Sequence, residues 1–246
     1  MEIIRSKANA SIKETKKLHQ KKYRRSSYLI EGWHLLEEAR QAEAVIEQVF
    51  VLEDYADRVA GLENVKLVSP EILQDLADSQ TPQGVVAQLA LPKQTLPEEL
   101  SGHYLVLEDV QDPGNVGTMI RTADAAGYDG VFLSDKSADI FSMKVLRSMQ
   151  GSHFHLPVYR MPIAELLTHL QENQVQVLAT TLSSQSVDYK EVKPAASFAI
   201  VMGNEGQGIS ELVAAEADQL VHISMPGQAE SLNVAVAAGI LLFSFI

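Results

Sequence analysis

The chain has 246 residues, 46 % of them hydrophobic, no cysteine and a formal net charge of −12. That length and apolar content suit one large domain or two small ones and exclude a disordered chain, while the missing cysteine excludes disulfides, thiolate nucleophiles and thiolate-bound metals. No run approaches the about eighteen apolar residues of a membrane span, and Met1 leads into a polar, basic segment instead of a signal-peptide core, so a cytoplasmic protein without a membrane partner is expected.

Charge is concentrated at the start of the chain. Residues 1–25 hold nine basic and two acidic side chains, a local +7, which leaves the remainder at −19. Lys16, Lys17, Lys21, Lys22, Arg24 and Arg25 flank Tyr23 in this stretch. Two readings stand for it: a patch that meets RNA phosphates, or a solvated helix. Helical spacing from Ser11 to Lys22 leads into SYLIEG, a helix from Trp33 to Gln41, the strand-like VIEQVFVLE and a short helix; VKLVS, a helix after Pro70 and the strand-like GVVAQLA follow. This alternation predicts a small α/β domain over residues 1–95. LPKQTLPEELSG (91–102), with two prolines, a glycine and no periodicity, is the expected linker.

Beyond it, the apolar runs YLVLE, GVFLS, QVLAT, SFAIVM and LVHIS are separated by helical stretches. Near-continuous apolar strands between helices predict a parallel sheet covered on both faces, hence a doubly wound α/β domain over residues 96–246. Three segments each follow an apolar run and open into a helical pattern: EDVQDPGNVGTMIRTADAAGYDG (108–130), IVMGNEGQG (200–208) and ISMPGQAESLNVAVAAGILL (223–242). They read as loops at strand ends, where α/β proteins place ligands, and together they imply one site.

In the first segment Pro113 and Gly114 form a turn, and Val116, Met119, Ile120 and Ala123 recur at helical spacing. Arg121 lies off that stripe, either as an exposed helical arginine or as a group reaching a phosphate or ribose. RSMQGSHFHLP (147–157) carries His153 and His155 two apart on a predicted strand; with no third ligand nearby they are structural or RNA-facing, and no metal is expected. In the second segment Gly203, Gly206 and Gly208 surround Asn204 and Glu205, which gives either a tight turn capping the next helix or a backbone cradle for a ligand. It satisfies neither the dinucleotide fingerprint nor the P-loop. In the third, Ser231 is expected to cap the last helix, with Asn233 in its first turn. Val234, Val236, Ala237, Ile240 and Leu241 make that helix apolar on most sides, so it belongs in a core or an interface.

These three segments, in this order and spacing, resemble the three motifs of the SpoU/TrmH family of RNA ribose 2′-O-methyltransferases. The resemblance runs from about Tyr104 to the C-terminus. KLHQKKYRRSSYLIEGWHLLEEA (17–39) and TPQGVVA (81–87) are similar to the substrate-binding domain that precedes many such catalytic domains. The resemblance implies S-adenosylmethionine as cofactor, a trefoil-knotted C-terminal part, a homodimer with the last helix at its interface, and structured RNA as substrate. Ribosomal RNA is favoured over transfer RNA. It implies catalytic roles for Asn115, Arg121, Glu205, Ser231 and Asn233, and a cofactor pocket built from Thr180, Thr181, Met202, Gly203, Asn204, Gly208, Ile223, Met225, Ser231 and Leu232. The basic residues 16–25 would contact phosphates, with Tyr23 stacked on a base.

Arginine holds its proton too tightly to serve as a good general base. Arg121 is therefore assigned a fork-like contact with the ribose oxygen and adjacent phosphate, stabilising developing negative charge. The resemblance further implies that Glu205 orients the neighbouring asparagine and arginine and keeps negative charge near a cationic cofactor. Two rivals remain: a catalytically silent RNA-binding or ribosome-assembly factor on the same fold, and a nucleotide-dependent oxidoreductase, which the missing dinucleotide fingerprint disfavours.

Overall fold

The computed structural model describes residues 2–93 and 95–246. Its strands are β1 (Ser27–Glu31), β2 (Ile46–Leu52), β3 (Val65–Val68), β4 (Val85–Ala90), β5 (His103–Leu107), β6 (Gly130–Leu133), β7 (Val158–Arg160), β8 (Gln176–Thr180), β9 (Val187–Asp188), β10 (Phe198–Met202) and β11 (Gln219–His222). Its α-helices are α1 (Ala10–Lys17), α2 (Trp33–Gln41), α3 (Pro70–Leu76), α4 (Pro113–Ala125), α5 (Met143–Met149), α6 (Ile163–Glu172), α7 (Glu211–Glu216) and α8 (Val234–Ser244).

The chain forms two units: Met1–Lys93 with Asp139–Phe154, and Gln94–Ala138 with His155–Ile246. Met1, and Gln94 within the expected linker 91–102, lie outside the described residues. The second unit is thus not the contiguous 96–246 stretch expected. Residues 139–154 belong with the first unit for reasons visible in their side chains. Asp139 pairs with Arg24, the Phe141 and Tyr28 rings lie 4.8 Å apart, and Met143 joins a core of Ile12, Leu29, Phe50 and Val86. Arg147 reaches Asp78 at 2.7 Å and the buried Glu31 at 3.5 Å.

The first unit is a four-stranded sheet in the order β1-β4-β2-β3, antiparallel except for the β2/β3 pair. Asn9 starts α1 by accepting the backbone N–H groups of Ser11 and Ile12. The helical pattern predicted to Lys22 stops at Lys17. Leu18 and His19 turn their carbonyls to the Arg24 guanidinium, at 2.7 and 3.0 Å, instead of to backbone N–H groups of a further turn, and a short 3₁₀ turn follows at Lys21–Tyr23.

The second unit is a seven-stranded sheet, β7-β6-β5-β10-β8-β11-β9, parallel at every pair. Alternate residues of its central strands enter different layers. Val106, Phe132, Val177 and Val201 pack with Leu166, Leu170 and Val213 of α6 and α7, while the intervening Leu105, Leu178 and Ile200 are equally buried, on the side where α4 lies against β5 and β6 and α8 against β10. Burial on both faces is why these strands read as unbroken apolar runs. β7 and β9, of three and two residues, are too short to leave a periodic signal. Because all strands run the same way, their C-terminal ends share one edge, and the three loop segments are delivered there.

Candidate functional site

At that edge a cavity of about 500 Å³ opens over the ends of β8, β10 and β11. Its lining includes every residue expected to hold a cofactor: Thr180, Thr181, Met202, Gly203, Asn204, Gly208, Ile223, Met225, Ser231 and Leu232. Thr180 and Thr181 tie adjacent strand ends together, the Thr180 hydroxyl donating to the Val201 carbonyl at 2.9 Å and the Thr181 N–H to that of Val221 at 3.0 Å.

The floor is the glycine turn. Asn204 and Gly208 exchange both backbone hydrogen bonds at 2.9 Å, and a Cβ on Gly203 would lie 2.2 to 2.4 Å from the backbone of Gly208 and Ile209, so only glycine fits there. The Asn204 amide holds the turn from inside. Its Oδ1 accepts from the N–H groups of Gly206 and Gln207, at 2.9 and 3.0 Å, and its Nδ2 donates to the Asp109 carbonyl at 2.9 Å. The turn does not itself cap the following helix. Ser210 does so, accepting from Val213 N–H, while its own N–H donates to the buried Glu108 carboxylate at 2.9 Å.

Beside the turn, one hydrogen-bond chain joins the three loop segments. The Glu205 carboxylate accepts from Gln111 N–H (3.2 Å), Asp112 N–H (3.0 Å) and the Asn115 side-chain amide (3.2 Å). Asn115 Oδ1 in turn accepts from Asn233 Nδ2 at 3.1 Å. Burial alone would raise the Glu205 pKa, but the N–H groups of Asp112, Glu205 itself and Gln111, with the Asn115 amide, outweigh it and hold the carboxyl below its ordinary range. Glu205 also lines the cavity, so a fixed negative charge faces it.

Local helix starts supply two of these groups. Asp112 caps α4 by accepting Asn115 N–H at 2.9 Å, and Pro113 is the first helical residue instead of part of a free turn. Asn233, not Ser231, caps α8, its Oδ1 accepting from Ala235 and Val236 N–H. The expectation for Ser231 is corrected there: it lines the cavity two residues before the cap, and an asparagine makes the same backbone bonds while its Nδ2 stays free to reach Asn115. Arg121 is exposed on α4, off the buried stripe of Val116, Met119, Ile120 and Ala123; it does not line the cavity and makes no hydrogen bond or ion pair among the described residues. Leu182, His222 and Glu230 also line the cavity and were not expected from the sequence. Glu230, directly before Ser231, was the one a charge-based reading of the third segment had available.

In the first unit the basic residues divide. Lys16 pairs with Asp75 at 2.6 Å and Lys17 with Glu14 at 2.7 Å; both remain exposed, as do Lys21, Lys22 and Arg25. Lys22 lies 4.9 Å over the ring of Tyr23, which is 43 % exposed. Arg24 is a correction. Its side chain is only 6 % exposed and is consumed by Asp139 and the carbonyls of Leu18 and His19, which removes it from any RNA-facing set. His153 sits in a 3₁₀ turn (Ser152–Phe154), not a strand, buried with its Nε2 3.0 Å from the Tyr28 hydroxyl; His155 faces Asp124 at 3.4 Å. Among the described residues no group of three or more His, Cys, Asp or Glu is arranged to hold a metal ion, and no helix is long and apolar enough to cross a membrane.

Comparison with known proteins meets this geometry from outside. The sequence profile of the SpoU rRNA Methylase family matches residues 102–243, and that of the MRM3-like substrate binding domain matches residues 9–87. The chain is 40 % identical over 248 residues, 99 % of its length and 98 % of the relative's, to the 23S rRNA (guanosine(2553)-2′-O)-methyltransferase RlmP of Bacillus subtilis. Its fold superposes on the AdoMet-bound rRNA methyltransferase of Sinorhizobium meliloti with a TM-score of 0.88 at 32 % identity, covering 98 % of this chain and 96 % of that one. The AdoMet complex of the SpoU methyltransferase AviRb from Streptomyces viridochromogenes superposes with a TM-score of 0.86 at 25 % identity, covering 96 % of each chain.

Proposed function

The chain belongs to the SpoU rRNA methylase family, which carries out S-adenosylmethionine-dependent 2′-O-ribose methylation of RNA, and from that premise we propose that it methylates a ribose of 23S rRNA and that the site described above does the work. The observation that carries the assignment of the site is the Glu205–Asn115–Asn233 chain. It locks three separate loops together beside a cavity at the C-terminal edge of a parallel sheet.

The cavity suits the cofactor chemically. Its volume falls in the about 300–1,000 Å³ range of small-molecule sites. Leu182, Ile223, Met225 and Leu232 would offer apolar surface to an adenine, the 203–208 turn would offer backbone hydrogen-bonding groups, and Glu205 and Glu230 would offer negative charge to a sulfonium. S-adenosylmethionine, when bound, supplies a methyl group on that sulfonium. This chain's residues then hold and orient. Asn115 is fixed at both ends of its amide, to Glu205 and Asn233, and Arg121, which has no partner in its own chain among the described residues, presents a fork that matches a ribose oxygen and its phosphate. Such a fork stabilises the negative charge that develops on the ribose oxygen and fixes the line of attack.

The MRM3-like unit would grip the RNA, with Lys16, Lys17, Lys21, Lys22 and Arg25 on phosphates and Tyr23 on a base. A homodimer is part of the proposal: Val236 and Phe243 of α8 are each 53 % exposed and Ile246 is 59 % exposed, an apolar end that a second copy would cover. So is the trefoil knot that membership of the family implies, and so is action in the cytoplasm, where ribosomal RNA is found. The test is calorimetry with S-adenosylmethionine, together with mapping of ribose methylation on 23S rRNA from cells with and without the gene. Cofactor binding with no missing ribose methyl on any RNA would point to the silent assembly factor instead, and a stable monomer in sedimentation at micromolar concentration would remove the dimer.

A further inference from the structure

Arg160 ends β7, outside the cavity lining, yet its guanidinium gathers four main-chain carbonyls of a single loop. Nη1 donates to Ser134 O at 2.6 Å, Asp135 O at 3.0 Å and Ser137 O at 3.0 Å, and Nη2 to Ala138 O at 2.6 Å. These are the carbonyls of the loop that leaves β6. A planar fork with five donors suits such a set, whereas an ammonium group offers donors from one point only. The loop so held is tied to the end of β5. Ser137 Oγ donates to Leu107 O at 2.9 Å, Ser134 N–H to the same carbonyl at 3.1 Å, and Ala138 N–H to Val110 O at 2.9 Å.

Between those anchors lies Asp109, a non-glycine residue in the left-handed region at φ 55°. Such a conformation needs local support. Ser134 Oγ provides it from both sides, donating to Asp109 Oδ1 at 2.6 Å and accepting Asp109 N–H at 2.7 Å. The rotation this imposes aims the Asp109 carbonyl at Asn204, whose Nδ2 donates to it at 2.9 Å, and Asn204 is the side chain that folds the cavity floor. A continuous run of hydrogen bonds therefore leads from Arg160 through Ser134 and Asp109 to Asn204.

We infer that Arg160 is a positioning residue for cofactor binding, acting through the Ser134–Asp109 pair on the glycine turn. The inference rests on the assignment of this cavity to S-adenosylmethionine. It predicts that Arg160→Ala, in the full-length protein, weakens S-adenosylmethionine at least tenfold by calorimetry while RNA affinity stays within twofold. Ser134→Ala, which breaks the next link, weakens it at least threefold, and Arg160→Ala added to Ser134→Ala costs clearly less than it does alone. A purely structural arginine would lower the melting temperature without this coupling. A folded Arg160→Ala protein that binds the cofactor within twofold of wild type overturns the inference, and so does full additivity with Ser134→Ala. Should Arg160→Ala fail to fold, Arg160→Lys decides, because it keeps the charge but offers its donors from one point and cannot span the carbonyls of Ser134 and Ala138 together: at least threefold weaker binding is expected, and unchanged binding overturns. Wild-type protein that does not bind S-adenosylmethionine at all would instead sink the cavity's assignment.

Discussion

Asn115 stands 90 positions from Glu205 and 118 from Asn233, yet its amide touches both, at 3.2 and 3.1 Å. Lys16 to Arg25 are neighbours in sequence, yet their side chains part ways: Lys16 to Asp75, Lys17 to Glu14, Arg24 into the interior with Asp139, and Lys21, Lys22 and Arg25 to solvent. In a parallel sheet, loop order carries spatial information, because every strand ends at the same edge; a run of like charge carries none, because each long side chain finds its own partner. Site residues on the loops are for that reason a sharper expectation than RNA-facing residues in the basic run.

The largest expected effect is at Arg121. If this exposed arginine engages the ribose and phosphate, Arg121→Ala should lower methyl transfer by about 10²–10³-fold, the scale seen when one charge-stabilising donor is removed. Cofactor affinity should stay within twofold, since Arg121 does not line the cavity. A loss below about tenfold, roughly 1.4 kcal/mol of transition-state stabilisation, would be too small for the role.

Arg24 should behave in the opposite way, with folding and not chemistry as the readout. Removing it leaves Asp139, 21 % exposed, and two carbonyls without their guanidinium. Breaking a buried pair from one side costs about 3 kcal/mol, which denaturant unfolding of Arg24→Ala would register, whereas Lys21→Ala should change stability by less than about 0.5 kcal/mol. Equal effects from the two would erase the distinction between latch and surface.

What the sequence disclosed follows the same division. Long apolar strands, the helix starts at Trp33 and Pro70 and the order of the three loops were legible because burial on both faces and turn chemistry leave marks in residue type. Three things were not. Ser231 and Asn233 are both good caps, and only the position of Asn115 decides which one starts α8. β7 and β9 are shorter than any period. The placing of 139–154 with the first unit depends on partners such as Arg24, Tyr28 and Glu31, more than a hundred positions away, which no local pattern announces.

Glu205 offers a smaller and pH-dependent test of the loop cluster. Its carboxyl is held below the ordinary value of 4.5 mainly because main-chain N–H bonds overcome the cost of burial. A carboxylate depressed on folding contributes stability that is fully present above its unfolded pKa and is lost as pH falls through the lower, folded value. Glu205→Gln should therefore show less loss of stability than wild type as pH drops below 4.5, and at neutral pH about tenfold weaker cofactor binding, as charged acceptors for Gln111 and Asp112 N–H become a neutral one. Acid unfolding profiles that superimpose for the two proteins would show that the Glu205 hydrogen bonds do not tie the loops together.

The smallest effect concerns the charges left exposed. Replacing Lys21, Lys22 and Arg25 by neutral residues leaves Arg24 and its latch untouched, so the fold should be unaffected and S-adenosylmethionine binding unchanged. RNA affinity should fall uniformly across sequences, and the slope of log K against log salt should flatten by roughly 0.7 to 0.9 for each phosphate no longer neutralised. The three do not weigh equally. Lys22 stands over the Tyr23 ring, so its removal also takes away the cation–π contact that steadies that ring, and Lys22→Ala should weaken single-stranded RNA more than Lys21→Ala does if Tyr23 stacks on a base. A salt slope that stays put with all three charges gone would mean that this run only solvates the first unit, and the phosphates would then have to be met elsewhere on the surface, with the exposed Arg121 the first place to look.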